Sequence, residues 1–297
     1  MDQNRVAVVG AGAVGCYFGG ILALARVPVT LIGRPAHVDA IAGHGLFLEG
    51  LRVNQHIPVA ATAGIEGVRD AQTVLLCVKT LDTETTARDI RPLLAPGAAV
   101  VSMQNGVDNV RRIRTASGIE AIPAVVYVAA AMAGPGHVRH SGRGDLVLPQ
   151  SARALAALFE SAGIPCRLSP AIETELWRKM VLNCAYNAIS ALGRAPYGAM
   201  VRSPRIRDLM RRAIAESVAV ARADGVELSE EEMVEAARQL GDAMSAATSS
   251  TAQDIARGKA TEIESLNGYV ARRGAEAGIP TPVNETLCAL VRLLEEA

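Results

Sequence analysis

The sequence predicts an α/β fold, with an N-terminal doubly wound parallel sheet followed by an all-helical C-terminal domain. Three observations lead there. The β-branched run Arg5-Val-Ala-Val-Val9 passes at once into the glycine-rich turn Gly10-Ala-Gly-Ala-Val-Gly15 and an apolar helical stretch. Short apolar runs recur at 29–32, 71–78, 98–103 and 123–131, each of a length suited to a strand buried on both faces. Beyond residue 169 such runs cease and helical patterns take over.

Composition sets the outer bounds. Half of the 297 residues are apolar, enough for two domains with separate cores. Thirty basic residues balance thirty acidic ones, which leaves no electrostatic footprint for nucleic acid or an anionic membrane, so the expected partner is a small molecule. Cysteines 16, 77, 166, 184 and 288 form no C-x-x-C pair and no metal-ligand spacing. Their pattern predicts a reducing, cytoplasmic compartment and no metal. Residues 6–25 mimic a targeting or spanning segment, but five glycines within them fit a strand, turn and helix better. No other segment is long and apolar enough to cross a bilayer. The basic cluster Arg202 to Arg212 reads as a solvated helix face.

Taken in order, the first strand and Gly10–Gly15 place G-x-G-x-x-G where the motif has meaning. Gly10 permits the sharp turn, Gly12 lets backbone approach a pyrophosphate, and Gly15 lets the helix pack close to the strand. The helix N-terminus attracts the phosphates. A helix through Ala25 and a strand at Val29–Ile32 complete a βαβ opening, so Gly10, Ala11, Gly12, Ala13, Val14 and Gly15 are assigned to a dinucleotide. An acidic residue at the end of the second strand would hold the ribose 2′-hydroxyl of NAD. The sequence offers Gly33-Arg34 and no carboxylate before Asp39, so NADPH is expected; Arg34 stacking on adenine is the plainer alternative.

Residues 44–62 alternate polar and apolar and predict a hairpin-like excursion. Lys79 follows the buried strand 71–78, and Gln104-Asn105-Gly106 follows the strand 98–103. Ligands of doubly wound sheets sit outside the carboxyl ends of strands, so Lys79 and Asn105 are candidates for cofactor or substrate contact. An exposed loop lysine and an ordinary Asn-Gly turn are the alternatives. After the strand 123–131, Gly134-Pro-Gly136 predicts a turn into shorter antiparallel strands around Val138 and 146–148. A helix at 152–162 and a strand at 166–168 close the first domain, 1–168. Ser169-Pro170 predicts a helix start, with Ser169 as N-cap and Pro170 at the first position. The second domain, 169–297, reads as helices over 203–223, 229–247, 261–277 and 284–296.

Within that second domain, Lys179, Asn183 and Asn187 fall four apart, which makes one polar stripe on an otherwise apolar helical segment. Buried amides and ammonium groups are costly without partners. The stripe therefore faces solvent or lines a pocket for a polar ligand.

These residues carry a resemblance over nearly the whole chain. Gly10–Gly15 with Arg34, Lys79 with Gln104-Asn105-Gly106, Glu175-Leu-Trp-Arg-Lys179 with Asn183 and Asn187, and Ser249-Ser250 with Gln253-Asp254, Glu262 and Leu266-Asn267-Gly268 resemble the ketopantoate reductase (2-dehydropantoate 2-reductase) family. So does Gly278-Ile-Pro-Thr-Pro-Val-Asn284. The resemblance implies a Rossmann-like NADP-binding domain and a helical substrate domain that together reduce a 2-oxo acid with NADPH. It implies Lys179 as proton donor, Asn183, Asn187 and Ser250 as substrate ligands, and Asn105 near both nicotinamide and substrate. It further implies cofactor contacts at Lys79, Glu262 and Ala130. Two departures bear on substrate: Ala247 and Tyr197 stand where an asparagine is expected, which predicts altered specificity within the family. A homodimer through the helical half is compatible with the sequence. Two rivals remain open at this point, an NADPH-binding regulator without catalysis and a 3-hydroxy acid dehydrogenase of the same plan.

Overall fold

The computed structural model describes residues 4–51 and 53–296; Arg52, within the predicted excursion, lies outside them. In chain order the first elements are β1 (Val6–Val9), α1 (Ala13–Leu24), β2 (Val29–Ile32), α2 (Pro35–His44), β3 (Leu46–Gly50), β4 (Asn54–Ile57) and β5 (Ala60–Thr62). Then come β6 (Thr73–Leu76), α3 (Thr83–Ile90), β7 (Ala99–Ser102), α4 (Asn109–Ser117), β8 (Ile122–Pro123), β9 (Val125–Gly134), β10 (His137–Pro149), α5 (Arg153–Ser161) and β11 (Cys166–Ser169). The remainder is helical: α6 (Ile172–Gly193), α7 (Tyr197–Arg202), α8 (Pro204–Ala223), α9 (Glu230–Ala243), α10 (Ser250–Ala256), α11 (Asn267–Ala277) and α12 (Pro282–Glu296). Two compact units emerge. One comprises Met1–Gln104 and Asp108–Ile172, the other Asn105–Val107 and Glu173–Ala297.

The first unit holds a parallel sheet in the order β5-β2-β1-β6-β7-β8. Alternation within β1 shows why it is doubly wound. Val6 and Val8 enter a core shared with Phe18 and Leu22 of α1, while Ala7 and Val9 enter a second core shared with Ala87 and Ile90 of α3 and Ile113 of α4. Strands buried on both faces need such continuous apolar runs. The second sheet runs β11-β10-β3-β4, with β9 paired to β10. Its Leu46, Leu48, Val138 and Leu148 join the α1 core. The predicted excursion is the antiparallel β3–β4 hairpin, followed by β5, which pairs parallel to β2.

Two expectations need correction. The short strands expected after Gly136 form one long strand, β10, which keeps its pairing to β9 through irregularities at His140/Gly142 and Arg143/Asp145. Bulges absorb extra residues without ending a ladder, and Arg143 takes a φ of 56° there. The helix expected from Pro170 starts at Ile172 instead. Ser169 ends β11, and its hydroxyl accepts the Ala171 amide at 3.2 Å, a local turn that delays the helix.

In the second unit α6 is the central element. It spans 22 residues without an internal Gly or Pro, opens with Glu173 and Glu175 in the first turn, where carboxylates suit the helix dipole, and stops before Pro196. Trp177, Met180, Val181, Cys184 and Ala185 anchor it in a core with Met210, Ile214 and Val218 of α8 and Val270 of α11. Buried amides fix its register. Asn267 Nδ2 donates to the Cys184 carbonyl at 3.0 Å and to Asn284 Oδ1 at 2.9 Å, and Asn284 Nδ2 donates to the Ala213 carbonyl at 3.2 Å.

Candidate active site

The glycine loop is shaped by backbone crowding on one side and open space on the other. Gly10 has a φ of +109°, and a Cβ there would sit 2.7 Å from the Cys77 carbonyl carbon, so no other residue fits. At Gly15 a Cβ would collide with the Gly10 carbonyl oxygen. Gly12 differs: a Cβ there would meet nothing within 4 Å. That opening lies at the N-cap of α1, where backbone amides favour an anion. Arg34 is exposed and caps α2 directly after β2, and Lys79 is half-buried beyond the end of β6. Ala130 lies on β9 opposite His140, half-buried against the α1 core. Burial pushes the Cys16 thiol beside this loop up to about 12 and raises that of Cys77 as well, so neither offers a thiolate.

Gln104, which the sequence left without a role, stabilises the strand ends. Its Nε2 donates to the Val78 carbonyl at 3.1 Å and to Thr83 Oγ1 at 2.7 Å, and its Oε1 accepts from Ser102 at 3.2 Å. The chain leaving Gln104 is thereby fixed just before Asn105. Gly106, at a φ of +103°, allows the turn that follows.

Asn105 joins two charged groups of the helical unit. Lys179 Nζ donates to Asn105 Oδ1 at 2.8 Å, and Asn105 Nδ2 donates to Glu262 Oε2 at 3.0 Å. An ammonium only donates and a carboxylate only accepts, so this amide has one orientation. One and two helical turns beyond Lys179 are Asn183, half-buried, and Asn187, 3% exposed. Among the described residues neither side-chain amide makes a hydrogen bond, although neither is sealed from solvent. A buried amide with unmet donors and acceptors is costly. Along α6 the stripe thus passes from half-buried at Lys179 and Asn183 to buried at Asn187.

Ser249 sets the neighbouring segment against this helix. Its Oγ donates to the Asn187 carbonyl at 3.0 Å and caps α10 by accepting the Ala252 amide, and its own amide donates to Ser190 Oγ at 3.2 Å. Ser250 follows, exposed, as the first residue of α10. The two departures are also neighbours. The Tyr197 amide donates to the Ala247 carbonyl at 2.9 Å, and the Tyr197 ring packs 4.3 Å from that of Tyr186. Burial lifts the Tyr197 phenol to about 12, so it stays protonated at neutral pH. Glu262, for which the resemblance implies a cofactor contact, has its carboxylate at Asn105. The 157 residues between them hid that link. Among the described residues no His, Cys, Asp and Glu cluster could hold a metal ion, and no helix is long and apolar enough to cross a membrane.

Comparison with known proteins matches both parts. Residues 6–153 fit the family described as ketopantoate reductase PanE/ApbA, and residues 171–295 fit its C-terminal counterpart. The chain belongs to the ketopantoate reductase family. The 2-dehydropantoate 2-reductase of Halobacterium salinarum is 34% identical over 98% of this chain and 99% of its own, and that of Archaeoglobus fulgidus is 32% identical over 99% of each. A crystal structure of a PanE/ApbA family ketopantoate reductase from Ralstonia eutropha JMP134 superposes with a TM-score of 0.93 at 49% identity, covering 98% of both chains. Ketopantoate reductases are oxidoreductases, and the Rossmann-like sheet followed by helices is shared with these neighbours.

Proposed function

We propose that this chain reduces a 2-oxo acid to the 2-hydroxy acid with NADPH, and that Lys179 protonates the new hydroxyl oxygen. The substrate that its relatives' names indicate is 2-dehydropantoate. The observation that carries this reading is the ammonium of Lys179, bonded to an Asn105 amide that Glu262 holds in turn, on the same helix as the amides of Asn183 and Asn187, which make no hydrogen bond among the described residues.

The cofactor site fits its group. The open space at Gly12 and the α1 amides suit a pyrophosphate, and Arg34, with no carboxylate at the end of β2, suits a 2′-phosphate. Lys79, Ala130 and the rest of Gly10–Gly15 complete the proposed contacts. NADPH supplies a hydride to the carbonyl carbon. Hydride arrival leaves negative charge on the oxygen, and Lys179 answers it with a proton. General-acid help of this kind contributes roughly 10²–10⁴-fold. Asn105 accepts from the ammonium and orients it before reaction. Asn183, Asn187 and Ser250 bind the carboxylate and any hydroxyl of the substrate, since paired amide donors and acceptors match both.

A second reading keeps the reaction and changes the substrate. The Tyr197 amide donates to the Ala247 carbonyl, so the two departures from the expected asparagines are backbone neighbours. Where those side chains reach the substrate, the loss of two amides weakens discrimination in favour of a hydroxylated side chain. Oxidation of NADPH and of NADH against a panel of 2-oxo acids tests both readings. Turnover of 2-dehydropantoate with NADPH preferred is expected; turnover of another 2-oxo acid alone selects the second reading, and no turnover of any sinks both.

A further inference from the structure

A second concave site lies at the edge of the parallel sheet opposite the glycine loop. Gly10–Gly15 follows the carboxyl end of β1, whereas this pocket opens where β1, β2 and β5 begin. Its wall includes Arg5 directly before β1, Pro28 directly before β2 and Val59 directly before β5, with Arg26 from the end of α1 and Arg69 from the segment between β5 and β6. It encloses about 430 Å³, which is within the range of small-molecule sites. The four residues of β1, at about 3.3 Å each, put roughly 13 Å between the two edges.

Charge in this pocket is one-sided. Arg5, Arg26 and Arg69 line it, Thr30 adds a hydroxyl, and no carboxylate is among its lining residues. Glu66, the nearest acid before Arg69 in the chain, turns its carboxylate over Gly64 instead. Elsewhere arginines such as Arg112, Arg238, Arg273 and Arg292 are paired with carboxylates. Among the described residues none of the three pocket guanidinium groups makes an ion pair or a hydrogen bond. The chain as a whole is neutral, so the cluster is a local excess. Arg26 supplies a separate observation. The Val27 amide donates to the Leu22 carbonyl at 3.1 Å and the Arg26 amide to the Ala23 carbonyl at 2.9 Å, which closes α1 in a Schellman motif. The left-handed residue of that motif is usually glycine, yet here it is Arg26, at a φ of 65°. A disfavoured backbone that aims a charge into a pocket points to a use for that charge. Offsetting the dipole of α1 is the plainer use, and the experiment below separates the two.

We propose that this pocket binds a phosphorylated small molecule at a site separate from the cofactor's. Its phosphate oxygens lie among Arg5, Arg26 and Arg69, and the rest of the molecule lies against Val27, Pro28 and Val59. Guanidinium groups match phosphate oxygens two at a time, which favours a phosphate over a singly charged carboxylate. The α1 terminus does little to oppose the anion, because the carbonyls of Ile21, Leu22 and Ala23 already accept backbone amides. This binding is independent of the role proposed for Lys179.

Isothermal titration calorimetry of the full chain with inorganic pyrophosphate tests this, with NADPH saturating so that the glycine loop is filled and with sodium chloride holding the ionic strength constant. We expect one pyrophosphate per chain, and a Kd weakened about tenfold or more in Arg26→Gly and in Arg69→Ala, since each loses hydrogen bonds to a charged partner. Arg153→Ala, which removes an exposed arginine outside the pocket, keeps the parent's Kd. Glycine suits the left-handed position, so Arg26→Gly keeps the fold, and a thermal melt accompanies each titration. No binding to the NADPH-loaded parent overturns the proposal, because pyrophosphate then reaches only the glycine loop. Parent affinity in either Arg26→Gly or Arg69→Ala overturns it too; with a lower melting temperature in Arg26→Gly, that result leaves Arg26 to the helix dipole alone. An equal weakening in Arg153→Ala reduces the effect to general surface charge and also overturns it. If NADPH itself fails to bind, the cofactor reading falls, while the ratio of Kd between parent and variants still decides the pocket.

Discussion

Replacing Asn105 by Ala separates orientation of the proton donor from its presence. The substitution removes the acceptor 2.8 Å from Lys179 Nζ and the donor 3.0 Å from Glu262 Oε2, and touches neither charged group itself. Hydrogen bonds to charged groups are worth about 1.5–3 kcal/mol each. If the bond to Lys179 acts fully on the transition state, its loss alone lowers kcat by about 10–150-fold, at about 1.4 kcal/mol per decade. The site is half-buried, so water can reach the freed groups and the stability cost should stay below about 2 kcal/mol. Steady-state kinetics with NADPH and 2-dehydropantoate, or the 2-oxo acid the panel selects, alongside urea unfolding, measure both quantities. A kcat within about threefold of the parent would show that the ammonium needs no such partner. A fall in kcat matched by general unfolding would show that Asn105 serves the fold.

Two further perturbations probe separate links. Asn187→Leu removes a buried amide that makes no hydrogen bond among the described residues, so unfolding free energy should hold or rise, while the KM for the 2-oxo acid rises about tenfold or more and NADPH binding is unaffected. A loss of stability with unchanged KM would place Asn187 in the scaffold. Glu84→Gln breaks the bidentate pair with Arg112 that ties α3 to α4, with bonds of 2.6 and 2.8 Å. Hydrogen bonding from Arg112 holds the Glu84 carboxyl below its usual range. That stabilisation is present above the unfolded-state pKa and is lost as pH falls through the folded one. At neutral pH the variant should be less stable by about 0.5–1 kcal/mol after allowance for exposure, and the two proteins should converge in acid. A gap independent of pH in urea titrations would contradict this.

What could be read from the sequence was what short-range pattern encodes. Gly10, Gly12 and Gly15 stand at fixed spacing within one strand–turn–helix, and Lys179, Asn183 and Asn187 at a four-residue spacing on one helix, so spacing was enough to find them. Strand β10 was hidden because Gly142 and Gly144 look like breaks, whereas pairing along β9 carries the ladder through them. The helix start after Ser169 was misjudged because its hydroxyl can cap a helix or close a two-residue turn, and only the packing chooses. The links from Asn105 to Glu262 and from Thr261 to Glu295 join residues far apart in the chain. No local signal announces such pairs.

The most direct measurement is the turnover of Lys179→Ala with NADPH and the 2-oxo acid that the parent reduces, together with the Kd for NADPH and a thermal melt. Loss of about 10²–10⁴-fold in kcat is expected, with NADPH affinity and folding retained, because the variant lacks the proton that the new alkoxide needs. A folded variant that turns over within a few-fold of the parent would contradict the central role given to this lysine.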